Sequence, residues 1–185
     1  MDKALEEALK TVEPFVQFDP KDLAAERLGG LTNINYRVNS PAGDFVLRLA
    51  GEGTGEYIDR RAEEKNAQVA SRAGVNAEII FFDAKAGTMV TRYIENAITL
   101  DIDKFKDKGV LERAGRAFRR LHDSPQQFVG EFELFAQIDQ YLAVLDQLNA
   151  DLPDGYSNVH DNAKTVRAAL SSHPLPKRPC HCDPM

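Results

Sequence analysis

The sequence predicts an α+β fold in which a sheet-rich N-terminal part gives way to a helical C-terminal part near Glu95–Thr99. Three observations carry that expectation. Alternating apolar and polar runs, separated by glycine- or proline-bearing turns, crowd in before Glu95, with one helical pattern among them. Beyond Thr99, apolar residues recur at three- and four-residue steps in three successive segments. Finally, the length of 185 residues allows one domain, or two small lobes sharing a cleft, with about 70% of the unfolded chain's surface buried.

The elements follow in order. Leu5, Ala8, Leu9 and Val12 stand at i, i+3, i+4 and i+7, the stripe of a short amphipathic helix, with Asp2 as N-cap and Pro14 as stop. From Arg27 the period changes to two. Ile34–Val38 alternates, Ser40-Pro41-Ala42-Gly43-Asp44 is turn chemistry, and Phe45–Leu49 resumes as a strand, so a β-hairpin follows the Gly29-Gly30 break. Gly51, Gly53 and Gly55 lead to a helix over about Asp59–Ala73, which Gly74 ends as a left-handed residue. Strands at Glu78–Phe82 and Thr88–Ile94 flank an Asp83–Gly87 turn. Leu111–Leu121, Leu134–Leu148 and Val159–Leu170 then mark three helices, with Asp101 and Asp103 read as a helix start. Pro174, Pro176 and Pro179 keep His173–Pro179 extended.

Composition narrows the function. The 23 basic against 29 acidic residues give a net charge of −6, which argues against a nucleic-acid surface. No apolar run approaches the ~20 residues of a membrane span, and the charged stretch Met1–Lys10 is no secretory signal. Cys180 and Cys182, the two cysteines of the chain, make no secreted disulfide framework. A soluble cytoplasmic protein is expected, and the composition says little about small-molecule partners.

Four places carry residue types suited to chemistry. The Gly29-Gly30-Leu31-Thr32-Asn33 segment lies between strands, where backbone N–H groups can meet phosphate oxygens; an ordinary hairpin turn fits the same residues. Arg48 sits mid-strand among Val46, Leu47 and Leu49. A guanidinium facing inward there needs an anionic partner, which Glu63 or its neighbour Glu64 can supply; the alternative is the solvent face of the strand. Met89–Glu95, with Tyr93 and Ile94 at the exit of the last strand, can present backbone groups to an adenine edge. Cys180-His181-Cys182-Asp183 places potential metal ligands too close together for a tetrahedral site, and offers Asp183 as a base that accepts a hydroxyl proton. His122 reads as a helix-end residue, and His160 and His173 as solvent-facing or loop-bound.

Taken in order, these blocks resemble the protein-kinase-like phosphotransferases of small molecules, and within them the choline/ethanolamine kinase family in its bacterial branch. The resemblance rests on Gly29–Val38, Phe45–Leu49, Ile58–Asn66, Met89–Ile94 and Cys180–Asp183. Its Arg-x-x-Glu-x-x-Asn spacing over Arg60, Glu63 and Asn66 selects Glu63 over Glu64. What it implies is a five-stranded antiparallel N-lobe with one helix, residues 1–95, followed by an incomplete helical C-lobe, residues 96–185, ending in the catalytic loop. It also implies ATP and Mg²⁺ as cofactors and the hydroxyl of choline, ethanolamine or a related amino alcohol as acceptor. Gly29, Gly30, Leu31, Thr32 and Asn33 would lie over the phosphates and Arg48 would contact them, held by Glu63. Tyr93 and Ile94 would meet adenine, and Asp183 would be the catalytic base.

In that family an Asn and a second metal-binding Asp follow the catalytic motif, whereas this sequence ends at Met185. The Mg²⁺ ligands are therefore expected beyond this chain, and the polypeptide as given is expected to lack turnover. Incompletely covered helices are expected to promote self-association. An aminoglycoside- or thiamine-type kinase and a non-catalytic nucleotide-binding module are the other readings of the same blocks.

Overall fold

Leu5, Ala8 and Leu9, the stripe of the first helix (α1, Lys3–Thr11), are buried against a sheet, as is Phe15 just beyond it. The computed structural model describes residues 3–30, 33–51, 53–56, 58–173 and 176–182, so Asp2, Leu31, Thr32, Pro174 and Asp183 lie outside the described residues.

The sheet has five strands: β1 (Ala24–Leu28), β2 (Ile34–Ser40), β3 (Gly43–Leu49), β4 (Ile79–Asp83) and β5 (Thr88–Arg92). They lie in the order β1-β2-β3-β5-β4, every neighbouring pair antiparallel. Strand period two gives the sheet two different faces. Tyr36, Val38, Phe45, Leu47, Leu49 and Val90 point to one face and form the core with α1 and Phe15, whose ring meets Phe45 edge-on at 5.8 Å. Each such buried side chain contributes about 1.5–3 kcal/mol of transfer free energy. Asn35, Arg48 and Met89, aligned across β2, β3 and β5, point the other way.

That second face receives the helix α2 (Arg60–Arg72). Asp59 caps it, accepting from the N–H groups of Arg61 and Ala62, and Gly74 follows at φ +70 with its N–H on Ser71 O. The expected helix over Asp59–Ala73 is thus one residue shorter at each end, because both terminal positions are caps. The strand expected over Thr88–Ile94 ends at Arg92, although Tyr93 N–H still donates to Asp44 O at 3.0 Å. The strand expected at Glu78–Phe82 is shifted by one residue and carries a register irregularity between Ile79 and Phe81.

Two compact units are present: Met1–Val129 with Pro179–His181, and Gly130–Arg178 with Cys182–Met185. The first runs past the change of period near residue 95 and takes in α3 (Lys108–His122). Arg120 Nη1 reaches Gly74 O at 3.2 Å, and the Asn66 side chain both donates to Val129 O (3.0 Å) and accepts from Val129 N–H (2.7 Å). Asp107 caps α3 through Val110 N–H, whereas Asp101 organises the short 3-10 turn Lys104–Lys106 before it; the expected helix start at Asp101 and Asp103 is corrected accordingly. His122 closes α3 with its ring stacked at 6.3 Å on Phe118.

The second unit is an antiparallel-type helix pair, α4 (Leu134–Gln147) and α5 (Tyr156–Ser171), joined through Gly155 at φ +81. Arg167 bonds Asp139 at 2.7 Å and lies 3.6 Å from Glu133. Tyr141, Val144, Leu148, Val159, Val166 and Leu170 are each at least half exposed. His160, expected at the surface or in a loop, is instead half-buried within α5 beside Tyr156. A hollow of about 560 Å³ between these helices contains none of the site residues expected from the sequence.

Candidate active site

The second face of the sheet is where chemistry-bearing residues converge. Arg48 stands on β3 between Leu47 and Leu49, and strand alternation turns it away from their core. It is largely withdrawn from solvent: its side chain is 14% exposed, and Nη1 donates to Glu63 Oε1 at 2.7 Å. Phe82 lies with its ring 5.7 Å from the guanidinium carbon, and Gly87 O is 3.5 Å from Nη2. Glu64, the rival partner, accepts instead from Gln68 on its own helix. Arg48 Nε is buried and has no hydrogen-bond partner among the described residues. Donor capacity is therefore left over, which suits an anion.

Glu63 serves two cations. Its Oε2 accepts from Arg60 Nη1 at 2.6 Å, one helical turn back. Arg60 is 8% exposed and its other nitrogen Nη2 donates to the hydroxyl of buried Thr54. Two guanidiniums share one carboxylate, so the cluster retains a positive excess. Sequence reasoning gave Arg60 no role beyond its place in the spacing, although an Arg one helical turn before a Glu was a legible signal. Thr54, set among glycines, offered none.

Described residues at both ends of the glycine-bearing segment make specific contacts. Asn35 Nδ2 donates to Gly29 O at 3.0 Å, and Asn33 Oδ1 accepts from Gly51 N–H at 3.4 Å. A Cβ at Gly30 would lie 2.3 Å from Asn33 O and 2.8 Å from Asn35 Nδ2, whereas one at Gly29 would meet nothing within 4 Å. Gly30→Ala is accordingly expected to cost about 1–3 kcal/mol of stability through overpacking, and Gly29→Ala about 0.5 kcal/mol or less. Urea unfolding of the two variants checks this; equal midpoints would mean the loop relaxes freely. Asn35 is a further residue whose task was not assigned from sequence.

At the exit of β5, the Tyr93 ring lies under the Arg37 guanidinium at 4.2 Å. Arg37 also binds Asp44, whose carboxyl is held below the usual carboxylate range by that hydrogen bond and a second from Asn39. Because Tyr93 N–H is taken up by Asp44 O, Tyr93 cannot offer that group to a ligand. Ile94 is 57% exposed. The structure thus brings Arg48 and Glu63 into contact and joins Asn33 to Gly51, while Tyr93 is tied to the sheet through Asp44 and Arg37. Leu31, Thr32 and Asp183 lie outside the described residues, although His181, two positions before Asp183, meets the Phe118 ring edge-on at 6.3 Å. Among the described residues no group of three or more His, Cys, Asp or Glu is placed to hold a metal ion.

Known proteins are similar to this chain in sequence and fold. The model of a family described as "Phosphotransferase enzyme family" matches residues 24–185. Protein LicA of Haemophilus influenzae is 35% identical over 123 residues, which are 66% of this chain and 36% of that protein. Among solved structures, a choline/ethanolamine kinase family protein from Mesorhizobium loti has a TM-score of 0.83 and 44% identity, over 98% of this chain and 58% of that one. The choline kinase LicA from Streptococcus pneumoniae has a TM-score of 0.77 and 25% identity, over 97% of this chain and 62% of that one. LicA in complex with AMP matches at 0.73 and 26%, over 99% and 61%. The chain spans well under half the length of the curated relative and about three fifths of these solved structures.

Proposed function

Because the chain belongs to the phosphotransferase enzyme family and has the protein-kinase-like fold of choline/ethanolamine kinases, we propose that it binds ATP on the second face of its sheet, for transfer of the γ-phosphoryl group to the hydroxyl of choline, ethanolamine or a related amino alcohol. The observation that carries the reading is the Arg48–Glu63 pair. A mid-strand cation is held by a helix carboxylate, beside a glycine-bearing loop, and its Nε has no partner among the described residues. Phosphoryl transfer depends mainly on positioning and neutralising charge, and this is the arrangement that kinases use on ATP phosphates. The bound AMP of the related LicA structure supports an adenine nucleotide, and the kinases among the relatives support the amino-alcohol acceptor.

In this reading Arg48 contacts the phosphates, the Gly29–Asn33 segment covers them, and Ile94, with the Tyr93 carbonyl, faces adenine. Residues 1–95 form the nucleotide lobe and residues 96–185 belong to the helical lobe. The acceptor oxygen forms a bond to the γ-phosphorus as the bond to the β,γ-bridging oxygen breaks. ADP leaves with that electron pair, and Asp183 takes the hydroxyl proton. Mg²⁺, when bound, would neutralise charge on the phosphates; among the described residues no group of three or more His, Cys, Asp or Glu is placed to hold it.

Calorimetric titration with ATP and with adenosine tests the proposal. ATP is expected to bind, and Arg48→Met to weaken it about tenfold or more, from the loss of a charge-assisted hydrogen bond. Adenosine affinity is expected to stay within about twofold, because the cation meets only phosphate. Equal losses for both ligands, or no binding of ATP by the unaltered chain, would overturn the reading.

A further inference from the structure

The phosphate-side elements are joined by a chain of polar contacts that passes through two buried residues outside the predicted site. Starting from Arg48, Nη1 donates to Glu63 Oε1 at 2.7 Å, and Glu63 Oε2 accepts from Arg60 Nη1 at 2.6 Å. Arg60 Nη2 donates to Thr54 Oγ1, and the same hydroxyl donates to Gly51 O at 2.7 Å. Gly51 N–H then meets Asn33 Oδ1 at 3.4 Å, on the glycine-bearing segment. We infer that Thr54 and Arg60 are positioning residues that set the glycine-bearing loop in register with Arg48, so that both address one phosphate chain together. The phosphate part of this inference rests on the ATP reading above.

Burial excludes a direct role for either residue. Thr54 is 2% exposed and Arg60 8%. Arg60 is also walled in at the β4–β5 turn, where a Cβ on Gly87 would come within 2.8 Å of Arg60 Nε; Gly87 has φ +68 as well, so two independent reasons keep it glycine. Both of its terminal nitrogens are already engaged, by Glu63 and by Thr54, so Arg60 offers a ligand little surface. What it does is orient the Glu63 carboxylate: with one oxygen engaged by each arginine, the carboxylate cannot rotate away from Arg48 without leaving a buried cation unpaired. The Thr54 hydroxyl extends the constraint, because one oxygen both accepts from Arg60 and donates to the Gly51 carbonyl. It pins Gly51, a residue type that left unpinned has many backbone states open to it. Neither Tyr93 nor Ile94 takes part in this path. Its disruption should therefore alter phosphate binding and spare adenine.

Thr54→Val removes the hydroxyl and keeps the shape, while Thr54→Ser keeps the hydroxyl and trims a methyl. Both are compared with the unaltered chain by titration with ATP and with adenosine, and by hydrogen exchange over residues 29–35. Thr54→Val is expected to weaken ATP about tenfold, leave adenosine within about twofold, and speed exchange over 29–35; Thr54→Ser is expected to restore both readouts. An unchanged ATP-to-adenosine ratio in Thr54→Val, with ATP bound normally, overturns the inference and leaves the ATP reading standing. A Thr54→Ser variant as impaired as Thr54→Val also overturns it, since packing alone would then explain the residue. If the unaltered chain binds no ATP, the kinase reading and the phosphate role fall together, and the exchange measurement alone decides whether Thr54 orders the loop.

Discussion

Glu63→Ala is expected to lower the unfolding free energy by about 3–5 kcal/mol, the cost of leaving buried charges without their partner. The magnitude follows from arrangement. Glu63 is the carboxylate between Arg48, 14% exposed, and Arg60, 8% exposed. Deleting it strands two guanidiniums in a poorly solvated space, where each loses its counter-ion and repels the other. Glu63→Gln keeps the volume and one acceptor oxygen, so it should fall between alanine and the unaltered chain. Glu64→Ala is the control: its partner is Gln68 on the same helix, and it should cost about 0.5 kcal/mol or less. Urea titrations followed by far-UV circular dichroism measure all three. A Glu63→Ala cost no larger than that of Glu64→Ala would mean that the cluster is hydrated and that Glu63 does not hold Arg48.

The second large effect lies on the opposite face of the sheet. Phe15→Ala is expected to destabilise the protein by about 3–5 kcal/mol, as transfer free energy is lost and a cavity remains. Phe15 is fully buried and meets Phe45 edge-on at 5.8 Å, against a wall of Val38 and Leu47 that is itself fully buried. Those neighbours belong to a hydrogen-bonded sheet and cannot close the gap. Val16→Ala is the matched control, because Val16 is 47% exposed although it is the next residue, and its loss should be about 0.5 kcal/mol or less. Thermal or urea midpoints separate the two; comparable losses would show that the segment after α1 packs loosely on the sheet.

Phe15 also shows where sequence reading stops. The stripe Leu5, Ala8, Leu9, Val12 was legible as a helix face, because period is a local property. Whether that face met the sheet or the helical part was not legible, and Phe15, in a short 3-10 turn after Pro14, had no periodic context to reveal it. Helix ends were readable to within a residue where a capping type stood at the boundary, as Asp59 and Gly74 did for α2. They were misread at Asp101, because Asp107 offers the same side chain six residues later and sequence does not say which carboxylate finds a helical N–H.

Although β1 was not located from its residues, the sequence by itself marked four of the five strands, the helices and the glycine break before the hairpin, and its ordered motifs carried the resemblance to the family. Those depend on nearest-neighbour chemistry and on the ordered spacing of motifs, and both are written along the chain. Tertiary structure decided the contacts. Strand alternation left Arg48 a choice between solvent and a carboxylate, and residue type left it a choice between Glu63 and Glu64, of which the spacing shared with the family selected Glu63. The packing of α2 on the second face draws Arg48 away from solvent, brings Glu63 within 2.7 Å and leaves Glu64 to its own helix. The same packing put Arg60 against Thr54 and Asn66 against Val129, contacts across turns or between distant segments that no local period encodes. A buried charge selects its partner by distance in space, through the desolvation that any unpaired alternative would incur.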